Sequence, residues 1–229
     1  MIRVSRNDDA VRSVDPEIAE TSVLVAGTPA LALRAAVTSC SRSNRAARTT
    51  PVPPMPPSIA FSTLEQQKAR LLADIDAWSP PQLTYRPTPA AWSAAEVLDH
   101  IVRVEREILA AAQRGLPTPH RRGASDRLRF ILLDWLFRSD RRVRVPGSVP
   151  QVLPAPHADL GTVRREWDVA RQELGSFLAP LTADQLSLGV FRHPVAGWMS
   201  VPQVLRFFWV HTHHHGYQLD RLRAASTRG

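Results

Sequence analysis

Residues 201–223 read VPQVLRFFWVHTHHHGYQLDRLR, and their periodicity decides the fold class. Val204, Phe208, Leu219 and Leu222 fall on one stripe, with His211 and His215 in the places between Phe208 and Leu219. Steps of three and four along that stripe are helical, so a single helix over about Val201 to Arg223 turns one face toward a core. Ser200 followed by Gln203 makes a capping box at its start, and Pro202 is tolerated in a first turn. A helix with one apolar face needs partners that cover it.

The preceding sequence supplies them. Ser62 with Glu65 reads as a capping box for a helix carrying Leu64, Leu71, Leu72, Ile75 and Trp78, stopped by Ser79, Pro80 and Pro81. Ser93 with Glu96 caps a second helix with Val97, Ile101, Val104 and Ile108 on one face, ending near Gly115 and Pro117. A third runs from about Ser125 to Arg138, with Leu128, Ile131, Leu132, Trp135 and Leu136 as its expected inward side. Leu160 to Leu178 carries Val163, Trp167, Ala170, Leu174 and Leu178 in register. Between the last two, SDRRVRVPGSVPQVLPAP at 139–156 has no regular period and is too long for a tight helical hairpin. No strand alternation and no internal repeat is evident. The economical architecture is all-α, a bundle of four principal helices with one long crossover.

Residues 1–57 are of different character and end in TTPVPPMPPS, whose prolines forbid a continuous helix or central strand. They are read as a disordered or loosely structured leader, with residues 58–229 as the bundle domain. SVLVAG and PALAL, with Val37 to Cys40 as a loose lipoprotein box, suggest secretion. Asp8, Asp9, Asp15, Glu17 and Glu20 stand where a signal needs cationic residues, however, and Pro29 and Arg34 interrupt its apolar part. Met55 is an alternative start that would leave the leader untranslated. No run approaches the roughly 18 apolar residues of a membrane span, so no membrane partner and a cytoplasmic location are expected. Cys40 is the single cysteine, which excludes an internal disulfide and any cysteine-based zinc cluster. The net charge of +8 comes almost wholly from arginine, since Lys68 is the only lysine. Arg121, Arg122, Arg127, Arg129, Arg138, Arg141, Arg142 and Arg144 cluster around the third helix. No recognition helix or aromatic platform accompanies them, so nucleic acid is not expected as a partner.

Four of the eight histidines lie at His211, His213, His214 and His215. His211 and His215, one turn apart on the inward face, have the spacing to chelate one ion. The alternative is that both are simply buried and hydrogen-bonded. A shared metal satisfies both rings at once, and His213 points toward solvent on this reading. His120, His157 and His193 sit in loops or turns beside prolines. His100 lies inside the second helix at the edge of its inward stripe, where it can complete a triad with His211 and His215.

The string WSAAEVLDHIVRVE, with Trp92, Ser93, Glu96 and His100, resembles the second-helix signature of the DinB-like superfamily, the DinB/YfiT-like metalloenzymes. HPVAGWMSVPQVLRFFWVHTHHHGYQLDRL resembles its closing motif, and the likeness spans about Ser62 to Arg223. The resemblance implies up-down-down-up topology and a divalent ion held by His100, His211 and His215, and such a site takes zinc or nickel by availability as much as by affinity. It also implies a small-molecule substrate and an enzyme that is either a metal-dependent hydrolase or a transferase using a low-molecular-weight thiol. A non-catalytic metal- or small-ligand-binding bundle is the alternative, and a homodimer stays open beside a monomer. Asp99, Glu105 and Tyr217 are near enough in sequence to support such a site but have no clear inward phase, and Gln218 could orient a ligand histidine.

Overall fold

A computed structural model describes residues 56–227, apart from 144 and 146. The leader, residues 1–57 by sequence, lies outside the described residues except for its last two.

The long helices are α1 (Pro57–Asp76), α3 (Ala94–Gly115), α5 (Leu160–Leu178) and α7 (Val201–Ser226). α1 packs against α7 and α5, and α3 packs against the same two, so the four close a ring in the order α1, α7, α3, α5. Contacts along the helices fix their directions. Gln67 donates to the Trp209 carbonyl and Arg223 pairs with Asp74, so α1 and α7 run the same way. Asp76 pairs with Arg164 at the start of α5 while the Phe61 ring lies over Gly175 near its end, so α1 and α5 oppose. Glu96 accepts from His157 just before α5 and Glu105 accepts from Trp167 within it, so α3 and α5 are parallel. Two parallel helices in succession need a connection that travels the length of the bundle. Residues 116–159 make it, through α4 (Ala124–Phe137) and a 3₁₀ turn at Pro150–Val152.

Local chemistry accounts for the helix ends. Ser93 accepts from the Glu96 amide and the Glu96 carboxylate accepts from the Ser93 amide, the expected box. Gln203 serves Ser200 in the same way. Ser62 with Glu65 is not a cap: α1 begins at Pro57, and the Ser62 hydroxyl bonds back to the Ser58 carbonyl inside the helix. Pro57 can start the helix because the first-turn N–H it lacks would have had no intrahelical partner.

Two further departures from the sequence expectation matter. Gly189–His193 (β1) and Gly197–Ser200 (β2) form an antiparallel hairpin where no strand signal was evident, with a bulge after Gly189. Gly197 takes a φ of 73°, the left-handed conformation that glycine adopts without strain. Short helices α2 (Pro80–Thr84) and α6 (Ala183–Ser187) were also unforeseen. The second departure is α4, which packs on α7 and the hairpin through Phe130, Leu133 and Phe137. Leu128, Ile131, Leu132 and Trp135, expected inward, face solvent. The FILLDWLF run is apolar almost all round, so its period could not say which side a neighbour would cover.

The core divides in two. One cluster joins Ile108 and Ala112 of α3 to Val201, Val204 and Phe208 of α7; the other joins Val97, Leu98 and Ile101 to Leu219 and Leu222. Their pairing shows α3 and α7 running oppositely. No helix among the described residues is long and apolar enough to cross a membrane.

Candidate metal centre

The seam between the two core clusters is polar. On α3 it falls at His100, between Val97 of one cluster and Val104 of the other; on α7 it falls at His211 and His215, between Phe208 and Leu219. All three imidazoles are buried, and each offers a nitrogen within 4.8 Å of the others. Ring centroids stand 5.2 Å apart for His100 and His211, 4.9 Å for His100 and His215, and 4.6 Å for His211 and His215. The Nε2 atoms of His211 and His215 are 3.2 Å apart.

The surroundings orient the rings. Nδ1 of His100 lies 2.6 Å from the Val152 carbonyl, which only accepts, so this nitrogen carries the proton and Nε2 is left with its lone pair. Nδ1 of His215 donates to Oε1 of Gln218 at 2.8 Å, again freeing Nε2. Support of a ligand imidazole through its second nitrogen is what metal sites use to fix ring and tautomer. His211 keeps a buried Nδ1 with no hydrogen-bond partner among the described residues. Its Nε2–H must donate to His215 in the metal-free protein, leaving an unsatisfied acceptor in a dry core. Three converging imidazoles, two of them with Nε2 lone pairs left free by their Nδ1 partners, suit a divalent cation.

Burial holds these rings neutral. The His100 imidazole is pushed below its ordinary pKa chiefly by desolvation, and His211 far below, with His215, His100, His214 and His193 adding repulsion. His215 is lowered to about 3, first by burial and then by His100. Neutral imidazole is the form a metal requires. Aromatic rings complete the enclosure: Trp92 is 5.0 Å from His100, Phe207 stacks at 5.3 Å on His211, and Phe137 lies 5.8 Å from it.

The other histidines go elsewhere. His213 does not point freely to solvent; it is half-buried, stacked on Trp209 and bonded to Tyr217. His214 is buried and bonds the Ser139 carbonyl, tying the end of α4 to α7. His193 accepts two backbone amides of its own turn through Nδ1, and burial lowers its pKa to about 4. His120 stacks on Trp198. None of Asp99, Glu105 or Tyr217 reaches the triad: Asp99 binds Arg103 and the Ala155 amide, Glu105 binds Arg171 and Trp167, and Tyr217 donates to the Arg138 carbonyl. Sequence reasoning missed Val152, whose contact comes from a remote backbone carbonyl that leaves no signal in residue type.

Two cavities of about 200 and 250 Å³ lie between α1 and α7, lined by Gln67, Arg70 and His213 among others, and neither is lined by a triad histidine.

YfiT from Bacillus subtilis, described as a probable metal-dependent hydrolase with an unusual four-helix bundle topology, is similar in fold. It is 18% identical over 74% of this chain and 86% of its own, with a TM-score of 0.50. TT2238, a four-helix bundle protein, is 21% identical over 73% of this chain and 98% of its own, at a TM-score of 0.46. No curated protein matches in sequence. The model of the DinB superfamily matches residues 63–219, from the first helix of the bundle through both histidines of α7, and the chain belongs to that superfamily.

Proposed function

We propose that this chain is a divalent-metal-dependent enzyme, a hydrolase first and a small-thiol-dependent transferase second, with His100, His211 and His215 as the metal ligands. The observation that carries the reading is the meeting of three neutral imidazoles in the bundle interior, two of them with Nδ1 already committed to Val152 and Gln218. When bound, zinc or nickel there would supply Lewis-acid chemistry, acidifying water or attracting a thiolate or carbonyl oxygen. Three protein ligands leave a coordination position free, whereas a structural zinc has four. No carboxylate among the described residues joins the cluster, so the ion's charge is left uncompensated. Val152 and Gln218 hold two of the rings in place, and Trp92, Phe137 and Phe207 keep bulk water from them.

Elemental analysis of untagged protein beside the His100→Ala, His211→Ala, His215→Ala and His213→Ala forms tests this. About one divalent ion per chain is expected in the parent and in His213→Ala, and substoichiometric metal in the other three. Metal-free parent protein, or metal retained by all four variants, would refute it. Burial of the whole triad favours a second reading, a non-catalytic metal-binding bundle. Turnover of ester or thiol-adduct substrates that the loaded parent shows and His215→Ala lacks separates the two.

A further inference from the structure

The outward side of α4 presents Leu128, Ile131, Leu132 and Trp135, which are 59, 61, 57 and 63% exposed. Their spacing of three, four and seven residues puts them on one stripe. Together they make an apolar ridge on the order of a few hundred Å², near the upper limit for a monomer surface. Arginines flank it. Periodicity sets Arg127 on one side and Arg129 on the other, Arg141 lies 5.9 Å over the Trp135 ring, and Arg142 follows. All four are exposed, and no ion pair among the described residues engages them. Asp134, within α4, is buried and already paired with Arg138 and Arg206, and Asp126 is occupied with the Gly123 and Trp198 amides. Asp140 is the one exposed acid beside the ridge.

We propose that this ridge docks the protein on an anionic lipid surface, with the four apolar side chains entering the headgroup boundary and the arginines pairing with lipid phosphates. Three observations select that occupant. A second copy would bring one arginine rim against another, a repulsion that a symmetric contact cannot avoid. The four side chains protrude, each more than half exposed, so a protein partner needs a matching groove, whereas a fluid bilayer deforms around them. Duplex DNA would satisfy the arginines but gives Leu128, Ile131 and Leu132 nothing to bury against. An apolar stripe with Trp and Leu between arginines is the composition of helices that lie in a membrane interface. The same stripe misled the sequence reading, which placed it in the core.

Flotation of the full chain with phosphatidylcholine vesicles, with and without phosphatidylglycerol, tests the proposal. Binding to the anionic vesicles alone is expected. It should fall when ionic strength rises from about 0.1 to about 1 M and the screening length shrinks from about 10 to about 3 Å. Arg129→Gln with Arg141→Gln should weaken it by about fivefold per arginine. Leu128→Gln with Leu132→Gln should abolish it with the melting temperature unchanged, since both positions are on the surface. No binding to anionic vesicles overturns the proposal. So does a dimer seen by light scattering that both double variants dissolve, or retention on duplex DNA that the arginine changes weaken and the leucine changes leave intact.

Discussion

Acidifying the metal-free protein from pH 7 to 5.5 should destabilise it by several kcal/mol, because buried histidines that are neutral in the fold, three of them most strongly so, become protonated once it opens. His215 is lowered to about 3 and His193 to about 4, and burial pushes His211 far below its ordinary range. A histidine depressed in the folded state takes up its proton only on unfolding. The unfolded chain then binds more protons, and stability rises with pH between the folded pKa and about 6.5. Below 6.5 each such group lowers stability by about 1.4 kcal/mol per pH unit, a slope that does not depend on how far below it titrates when folded. Three groups give about 4 kcal/mol lost by pH 5.5, against a typical total of 5–15 kcal/mol. Glu105 acts in the opposite sense, since burial raises its carboxyl, and it offsets at most one of the three protons. Urea unfolding in the presence of a chelator at pH 7.5, 6.5 and 5.5 (about one unit per step) measures the slope directly. His215→Gln should reduce it by about one third, locating part of the effect at the triad. A net uptake of less than one proton per chain over this range would show that these rings are not held neutral by burial.

Gln218→Leu removes the acceptor behind His215 and should weaken zinc binding by about 10- to 100-fold with helicity intact, measured by competition with a chromophoric chelator; unchanged affinity would show that the contact does not orient the ring. Glu105→Leu takes the close partner from the buried Arg171 guanidinium, leaving it Glu65 at 3.7 Å, and should cost about 3–5 kcal/mol by urea titration, most of it recovered in the Glu105→Leu, Arg171→Leu double variant. Gly115→Ala would drive a methyl group into the Val190 carbonyl, separating α3 from the hairpin, and its melting temperature should drop by several degrees.

What the sequence disclosed was whatever rests on local spacing. Ser93 with Glu96 and Ser200 with Gln203 marked the starts of α3 and α7, because a cap is written within four residues. His100, His211 and His215 could be brought together since each lies on its own helix's inward phase. α4 was legible as a helix but not in its orientation: Leu128, Ile131, Leu132 and Trp135 make as good a stripe as Phe130, Leu133 and Phe137, and only the position of α7 and the hairpin chooses between them. β1 and β2 are five and four residues long with a bulge, too short to show an alternation. The false start at Ser62 has the same origin as the true ones, a serine three residues before a glutamate or glutamine, in a chain already helical from Pro57.

The two supports behind the triad differ in what they ask of heredity. His100 is steadied by the main-chain carbonyl of Val152, which any residue at that position would supply. The hold on this imidazole therefore persists as long as the 3₁₀ turn keeps its path. His215 is steadied by the amide of Gln218, and no backbone atom stands in for it. The hold on His100 thus tolerates a change of side chain at 152 so long as the main chain keeps its place, whereas the hold on His215 ties residue 218 of the helix that carries two of the three histidines to a side chain that can accept.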